Sequence, residues 1–324
     1  YLKMFLKKGY VVKFIGDNYL HEEPYTSTLQ QMGIEVLYGQ EYLTGIWDWL
    51  VKNGKDIHVA YLNRPHIATK YVDFIKEHTD IKMIYYGHDL HFMREFREYE
   101  LTGDVKKRQE SEYWKSIEFS LFHKVAVSYY PSYVEEEAIH AVDETIPVKA
   151  ITAYVYEEFL QNLNKDFAKR EGLLFVGGFA HPPNADAVLW FAKEVFPKIR
   201  EQIKVNFYIV GSKVTDEIKA LEQPGNGIIV KGFVSEEELA DLYRNCRIVV
   251  VPLRYGAGVK GKVVEAIYNG APIVTTSVGS EGIPDVEKVL LVKDQPDEFA
   301  ETVVELYKDE KRLEDLAEKT QVYI

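Results

Sequence analysis

Short runs rich in Val, Ile, Leu, Phe and Tyr recur along the whole chain, spaced so that one helix fits between each run and the next. This alternation constrains the fold more than any other feature, because strands joined by helical crossovers pair in parallel and bury both faces of the sheet under helices. Candidate strands fall at residues 10–15, 33–37, 57–61, 82–86, 124–128 and 147–151 in the first half, and at 173–176, 205–210, 227–230, 247–251, 272–275 and 289–292 in the second. Between the halves, residues 157–171 carry Asn164, Lys165, Asp166, Lys169 and Arg170 with little apolar periodicity, and read as a linker. The expected architecture is α/β with two parallel-sheet domains, residues 1–158 and 169–324. A chain of 324 residues gives each enough length to bury a core of its own.

A formal net charge of −12 argues against a general nucleic-acid binder, which needs a basic face to neutralise phosphates. The lone Cys246 excludes an intrachain disulfide framework and a cysteine-rich metal site, and reads as a small buried hydrophobe. No uninterrupted apolar run of about 18 residues occurs and the opening residues do not read as a secretory leader. The expected compartment is the cytoplasm, with at most peripheral contact at the inner face of the membrane. Lys3, Lys7 and Lys8 interleave with Leu2, Met4, Phe5 and Leu6, a pattern that could touch an anionic membrane but reads more simply as an ordinary amphipathic surface helix.

The densest chemistry lies at residues 252–266, Pro-Leu-Arg-Tyr-Gly-Ala-Gly-Val-Lys-Gly-Lys-Val-Val-Glu-Ala, where a buried strand gives way to a helix expected over 259–269. Unpartnered N–H groups at a helix start attract phosphate, and Gly256, Gly258 and Gly261 let backbone approach an anion without obstruction by a Cβ. Lys260 and Lys262 add positive charge. Glu265 follows Lys262 by three residues on the same helical face, where its carboxylate can accept hydrogen bonds from both hydroxyls of a ribose. Asn269-Gly270, the strand at 272–275 and a second turn at 279–284 follow, and two successive strand-to-loop crossings at one sheet edge make a ligand crevice.

This segment, with residues 174–184 upstream, resembles the C-terminal half of group 1 (family four) retaining glycosyltransferases of the GT-B fold. The shared pattern is G-x-G-x-K-x-K-x-x-E, at Gly256, Gly258, Lys260, Lys262 and Glu265, followed by a strand beginning Pro272-Ile273-Val274-Thr275. The resemblance implies two Rossmann-like domains facing each other across a cleft. It also implies a nucleoside-diphosphate sugar as co-substrate with no other cofactor and no metal, and a carbohydrate, lipid-linked or protein acceptor. Glu265 would bind ribose, while Lys260, Lys262, Arg254 and the backbone of Gly177, Gly178, Gly256 and Gly258 would bind the rest of the donor. The loop after the strand at 82–86 supplies His88 as a catalytic candidate near the donor sugar and Asp89 as a weaker one. For Asp89 a helix cap is the simpler reading, as it is for Asn184 ahead of the helix expected from Ala185. The segment 94–115, dense in both charge signs, reads as a solvated helix face.

Two departures from the family pattern stand out. Relatives carry Arg and Lys in the first glycine turn of this half, yet neither occurs between Gly177 and Asp186, and eight positions before Glu265, where a second glutamate is expected, stands Ala257. The donor sugar therefore cannot be named. A nucleotide-sugar 2-epimerase and a non-catalytic partner of an active transferase are the competing functions for such a fold. Residues 1–9 already read as a helix, so the first strand and glycine loop of the N-terminal domain are expected to precede Tyr1 in a longer protein. The end of the chain reads as the start of a helix that relatives fold back onto the first domain.

Overall fold

The computed structural model describes residues 1–152, Tyr154, Tyr156, Leu160 and 164–323, so the linker read at 157–171 lies partly outside the described residues. The chain forms two compact units, residues 1–87 with 117–129 and residues 88–116 with 130–324.

In the first unit β1 (Lys13–Ile15) and β2 (Glu35–Leu37) make one parallel pair. A second parallel ladder runs β3 (Val59–Asn63), β4 (Lys82–Tyr86) and β5 (Val127–Tyr130). The helix Pro65–His78 starts on a proline whose fixed φ suits the first helical position, and it buries Ala68, Tyr71, Val72 and Ile75, one stripe at i, i+3, i+4 and i+7.

The second unit contains the short β6 (Val148–Ala150) and then β7 (Leu173–Val176), β8 (Phe207–Val210), β9 (Ile228–Gly232), β10 (Ile248–Val251), β11 (Ile273–Thr275) and β12 (Leu291–Val292). The last six form one sheet in the order β12-β11-β10-β7-β8-β9, every pair parallel. This is the Rossmann order: the chain winds outward from β7 to β9, returns to β10 beside β7, and winds outward the other way. The reversal between β7 and β10 splays their following loops apart, and a crevice opens at the strands' C-terminal ends. Both glycine-bearing turns singled out above leave from this point.

β10 shows why a central parallel strand reads as an unbroken apolar run. Ile248, Val249, Val250 and Val251 are all buried, with helices over both faces. Under one face Phe191 anchors an aromatic cluster, its ring centroid 4.8 Å from Phe207 and 5.8 Å from Phe299. Burying each such ring contributes about 1.5–3 kcal/mol. Cys246 is buried beside this sheet, as expected.

The charged segment 94–115 is not one solvated helix. Gly103, at φ +72°, ends the helix His91–Thr102 in a left-handed cap, and a second helix, Val105–Phe122, follows. Glu95 and Ser111 are buried within this stretch. Its charges are internal partners, because Lys107 binds Glu95 at 2.9 Å and Arg94 binds the same carboxylate at 3.0 Å.

Elsewhere local sequence rules hold directly. The helix Glu236–Asn245 begins with a side-chain N-cap: Ser235 accepts a hydrogen bond from the Glu238 N–H at 3.1 Å, and three glutamates occupy the first turn at the positive end of the dipole. Ser235→Ala should lower stability by about 1 kcal/mol in urea unfolding, with unchanged cooperativity. A change within about 0.2 kcal/mol of zero would show that the cap does not secure this helix.

Candidate functional site

β10 runs out at Val251, and its edge is tied to the next strand end by two hydroxyls. Thr275 Oγ1 donates to the Val251 carbonyl at 2.8 Å and Thr276 Oγ1 donates to that of Leu253. The glycine-rich loop follows and feeds the helix Gly261–Tyr268, whose N-cap is Lys260. Glycine at 261 lets Tyr154 cover the first turn, since an added Cβ would stand 2.4 Å from its hydroxyl.

Lys262 lies in that first turn and reaches across to the loop after β7. Its ammonium donates to Asn184 Oδ1 and sits 4.7 Å from the centre of the Phe175 ring. A Cβ on Gly177 would stand 2.8 Å from this nitrogen, so the glycine turn leaves room for the lysine as well as for a ligand. Burial, and secondarily the positive charge of Lys260, pushes the Lys262 pKa down to about 7. Asn184 does not cap its helix. The prolines at 182 and 183 start the helix earlier, His181 becomes the N-cap, and the Asn184 side chain is left to donate to the Gly178 carbonyl at 2.7 Å and to accept from Lys262.

One turn beyond Lys262, the half-buried Glu265 has its carboxyl pKa raised by burial, with Tyr243 acting in the opposite direction. The Tyr243 hydroxyl is fully buried, and the Glu265 carboxylate is its foremost electrostatic neighbour. Tyr156 stacks on Tyr268 with centroids 3.8 Å apart, and burial followed by the Glu265 charge pushes its hydroxyl pKa up to about 12. Glu265 therefore lies beside the buried Tyr243 and near Tyr156, which stacks on Tyr268.

The remaining sequence-derived residues occupy different settings. Arg254 forks onto Asp186, Nε to Oδ2 at 2.9 Å, with its guanidinium over the Trp190 ring. Lys260 is only 9% exposed and turns back onto the carbonyl of Gly258, so it is not a mobile surface cation. Gly258 adopts φ +76°, and a Cβ there would lie 2.5 Å from the His88 carbonyl and 3.1 Å from the Asp89 Cβ. The loop carrying His88 and Asp89 is thus packed against the glycine-rich loop. The His88 side chain is exposed, whereas Asp89 is buried and paired with Arg94. Asp89 does not cap the helix that follows, whose N-cap is Leu90.

Residues that sequence patterns did not flag also converge here. Arg97 donates to the Gly256 carbonyl at 2.6 Å and forks onto Glu281, and Glu135 accepts from the Gly258 N–H at 2.8 Å. An open cleft lined by Arg97, Arg254, Ser277 and Glu281 adjoins them. Among the described residues no group of three His, Cys, Asp or Glu side chains is placed to hold a metal ion. No helix among them is long and apolar enough to cross a membrane.

A six-stranded Rossmann sheet with its glycine turns at the switch point, accompanied by further parallel ladders, defines the GT-B class of α/β proteins, and solved structures agree. Sucrose-phosphate synthase from Thermosynechococcus elongatus superposes with a TM-score of 0.72 at 15% identity, over 98% of this chain and 85% of that one. Anabaena HepE, solved in complex with UDP and glucose, gives 0.68 at 15% identity, over 93% and 84%. S. aureus TarM, in a complex containing UDP, gives 0.66 at 14% identity over 86% of this chain and 54% of its own. Residues 170–309 match the family model of the glycosyl transferases group 1. A Klebsiella pneumoniae protein described as an uncharacterized 44.6 kDa protein in the cps region is 33% identical over 136 residues, 40% of this chain and 33% of that protein. The chain thus spans about half the length of TarM and a third of the Klebsiella relative.

Proposed function

We propose that this protein is a retaining, metal-independent glycosyltransferase that moves a sugar from a nucleoside-diphosphate donor to a glycan or lipid-linked acceptor. Residues 169–324 would bind the donor and 1–158 would form the acceptor side. One observation carries the reading: Lys262, Asn184 and Gly177 meet at the switch point of a Rossmann sheet, with Glu265 one turn further along the same helix. That spacing suits a diphosphate followed by a ribose. The complexes of HepE with UDP and with UDP-glucose, and of TarM with UDP, support a uridine nucleotide as the first donor to test.

The chemical demand in such a transfer is to stabilise negative charge on the departing diphosphate, which preorganised cations and N–H groups meet without reorganisation. Lys262 would do this, its neutral partner Asn184 yielding to phosphate oxygens. Gly178 offers backbone close to the donor. His88, exposed on the loop beside Gly258, would face the donor sugar, and Asp89 would act by holding Arg94. Incubation with UDP-, GDP- and ADP-sugars and candidate glycans, in the presence of a chelator, should release nucleoside diphosphate only when acceptor is present, and NMR of the product should show the donor's anomeric configuration. Sugar conversion without acceptor, or an inverted product, would overturn the proposal.

Glu265 makes a separate prediction. Glu265→Gln should weaken binding of the ribonucleoside diphosphate about three- to tenfold in calorimetry, the size of one lost net hydrogen bond. The 2′-deoxy analogue, lacking one of the hydroxyls, should lose less. Equal loss for both would remove Glu265 from the ribose.

A further inference from the structure

Four ionisable side chains, none held by the Lys262 cluster, close around the glycine-rich loop and hold its backbone group by group. The Gly256 carbonyl accepts from Arg97 Nη1 at 2.6 Å, the Gly258 N–H donates to Glu135 Oε1 at 2.8 Å, and the Gly258 carbonyl accepts from Lys260. The two carboxylates are equally well fixed. Glu281 takes both terminal nitrogens of Arg97, at 2.8 and 2.7 Å, and Glu135, with no exposed surface, takes the Ser132 hydroxyl at 2.5 Å on its second oxygen. Ser132 and Glu135 open the helix Tyr133–His140, so the buried carboxylate also lies at the favourable end of a helix dipole.

The loop is also sterically locked. Gly282, beside Glu281, adopts φ +76° with a would-be Cβ 2.6 Å from Ser132, just as Gly258 abuts the His88 carbonyl. Arg97 and Glu281 pair with each other, and Lys260 and Glu135 are engaged by the loop backbone, so giving any of the four up to a ligand would leave a buried partner uncompensated. Lys262 differs, because its hydrogen-bond partner is the neutral amide of Asn184.

We infer that Arg97, Glu281, Glu135 and Lys260 form a clasp that fixes the loop 256–260 in its nucleotide-binding shape, making Arg97 and Lys260 positioning residues and leaving Lys262 as the cation that contacts diphosphate. The inference rests on the donor reading only for what the loop binds. The clasp itself is a property of the loop.

Amide hydrogen exchange on the full chain separates the two. In Arg97→Gln and in Glu281→Gln, the peptide containing Gly258 should exchange at least about tenfold faster, while the peptide over β8 keeps its wild-type rate. Affinity for UDP should fall about tenfold and affinity for uridine should stay unchanged, with Arg97→Lys recovering part of the loss because it keeps the charge without the fork. Unchanged exchange at Gly258 in both Gln variants would overturn the clasp. Faster exchange with undiminished UDP affinity would overturn its positioning role. If the wild-type protein binds neither UDP, GDP nor ADP, the donor reading fails, and exchange at Gly258 alone decides whether the clasp exists. Should Arg97→Gln fail to fold, Glu281→Gln carries the same measurement.

Discussion

Replacing Gly258 with alanine should destabilise the second unit by about 2–5 kcal/mol in equilibrium urea unfolding. Two costs add. A residue with a Cβ in the left-handed region loses about 1–2 kcal/mol relative to glycine, and forcing a group into a well-packed site adds about 1–3 kcal/mol. The steric part is specific, because the new Cβ would lie 2.5 Å from the backbone oxygen of His88, which cannot rotate away as a side-chain tip can. Gly225 supplies the control: it has nearly the same φ, +80°, with nothing within 4 Å of its would-be Cβ. Gly225→Ala should therefore show the conformational cost alone, about 1–2 kcal/mol. Equal losses for the two variants would mean that the His88 loop does not rest on Gly258. The same substitution should weaken nucleoside diphosphate binding, since the Gly258 N–H that Glu135 holds would have to move.

The contrast between these glycines shows what could and could not be read from the residues alone. Strand positions were legible because parallel strands buried on both faces are written as unbroken apolar runs, and β10, β11 and β7 fall within a residue or two of where those runs stand. The glycine turns and Lys262 were legible because their chemistry is local: a strand end, a flexible turn and a cation in the next helical turn. What escaped was set by tertiary proximity. Arg97 looked like one more charge on a solvated helix, yet its partners Gly256 and Glu281 are 159 and 184 positions away. Glu135 had a local signal, the Ser-x-x-Glu of a capping box at 132–135, but nothing local says that its other oxygen takes an N–H from a distant loop. Asn184 was misplaced for a different reason. A proline at the first helical position outcompetes a polar cap three residues later, so the helix began at Pro182 and freed the amide for Lys262. Lys260 and Lys262 are two positions apart and identical in type, and only burial and partners distinguish a lysine folded onto its own loop from one that faces the switch point.

That distinction leads to the largest functional effect expected. Lys262 has a pKa of about 7 in the free protein, lowered by burial and by Lys260, whereas a diphosphate beside it favours the ammonium form. Above pH 7 the free protein has released this proton and the complex retains it, so binding takes up a proton and affinity should fall with rising pH by up to about tenfold per unit between pH 7 and 9. Lys262→Met has no proton to exchange. It should bind more weakly at pH 7 and show a flatter pH dependence, so that wild type and variant converge toward pH 9. The stability of the free protein should move the opposite way. The unfolded chain holds the lysine proton up to its ordinary range near about 10.4, while the folded chain gives it up near pH 7. The stability penalty from Lys262 is therefore fully present below pH 7 and fades as pH rises toward that range. Relative to Lys262→Met, wild-type stability should climb through this window, and saturating UDP should abolish the difference in slope. Parallel pH profiles for the two proteins, in binding and in unfolding, would show that Lys262 keeps its proton throughout and would remove it as the group whose charge answers the diphosphate.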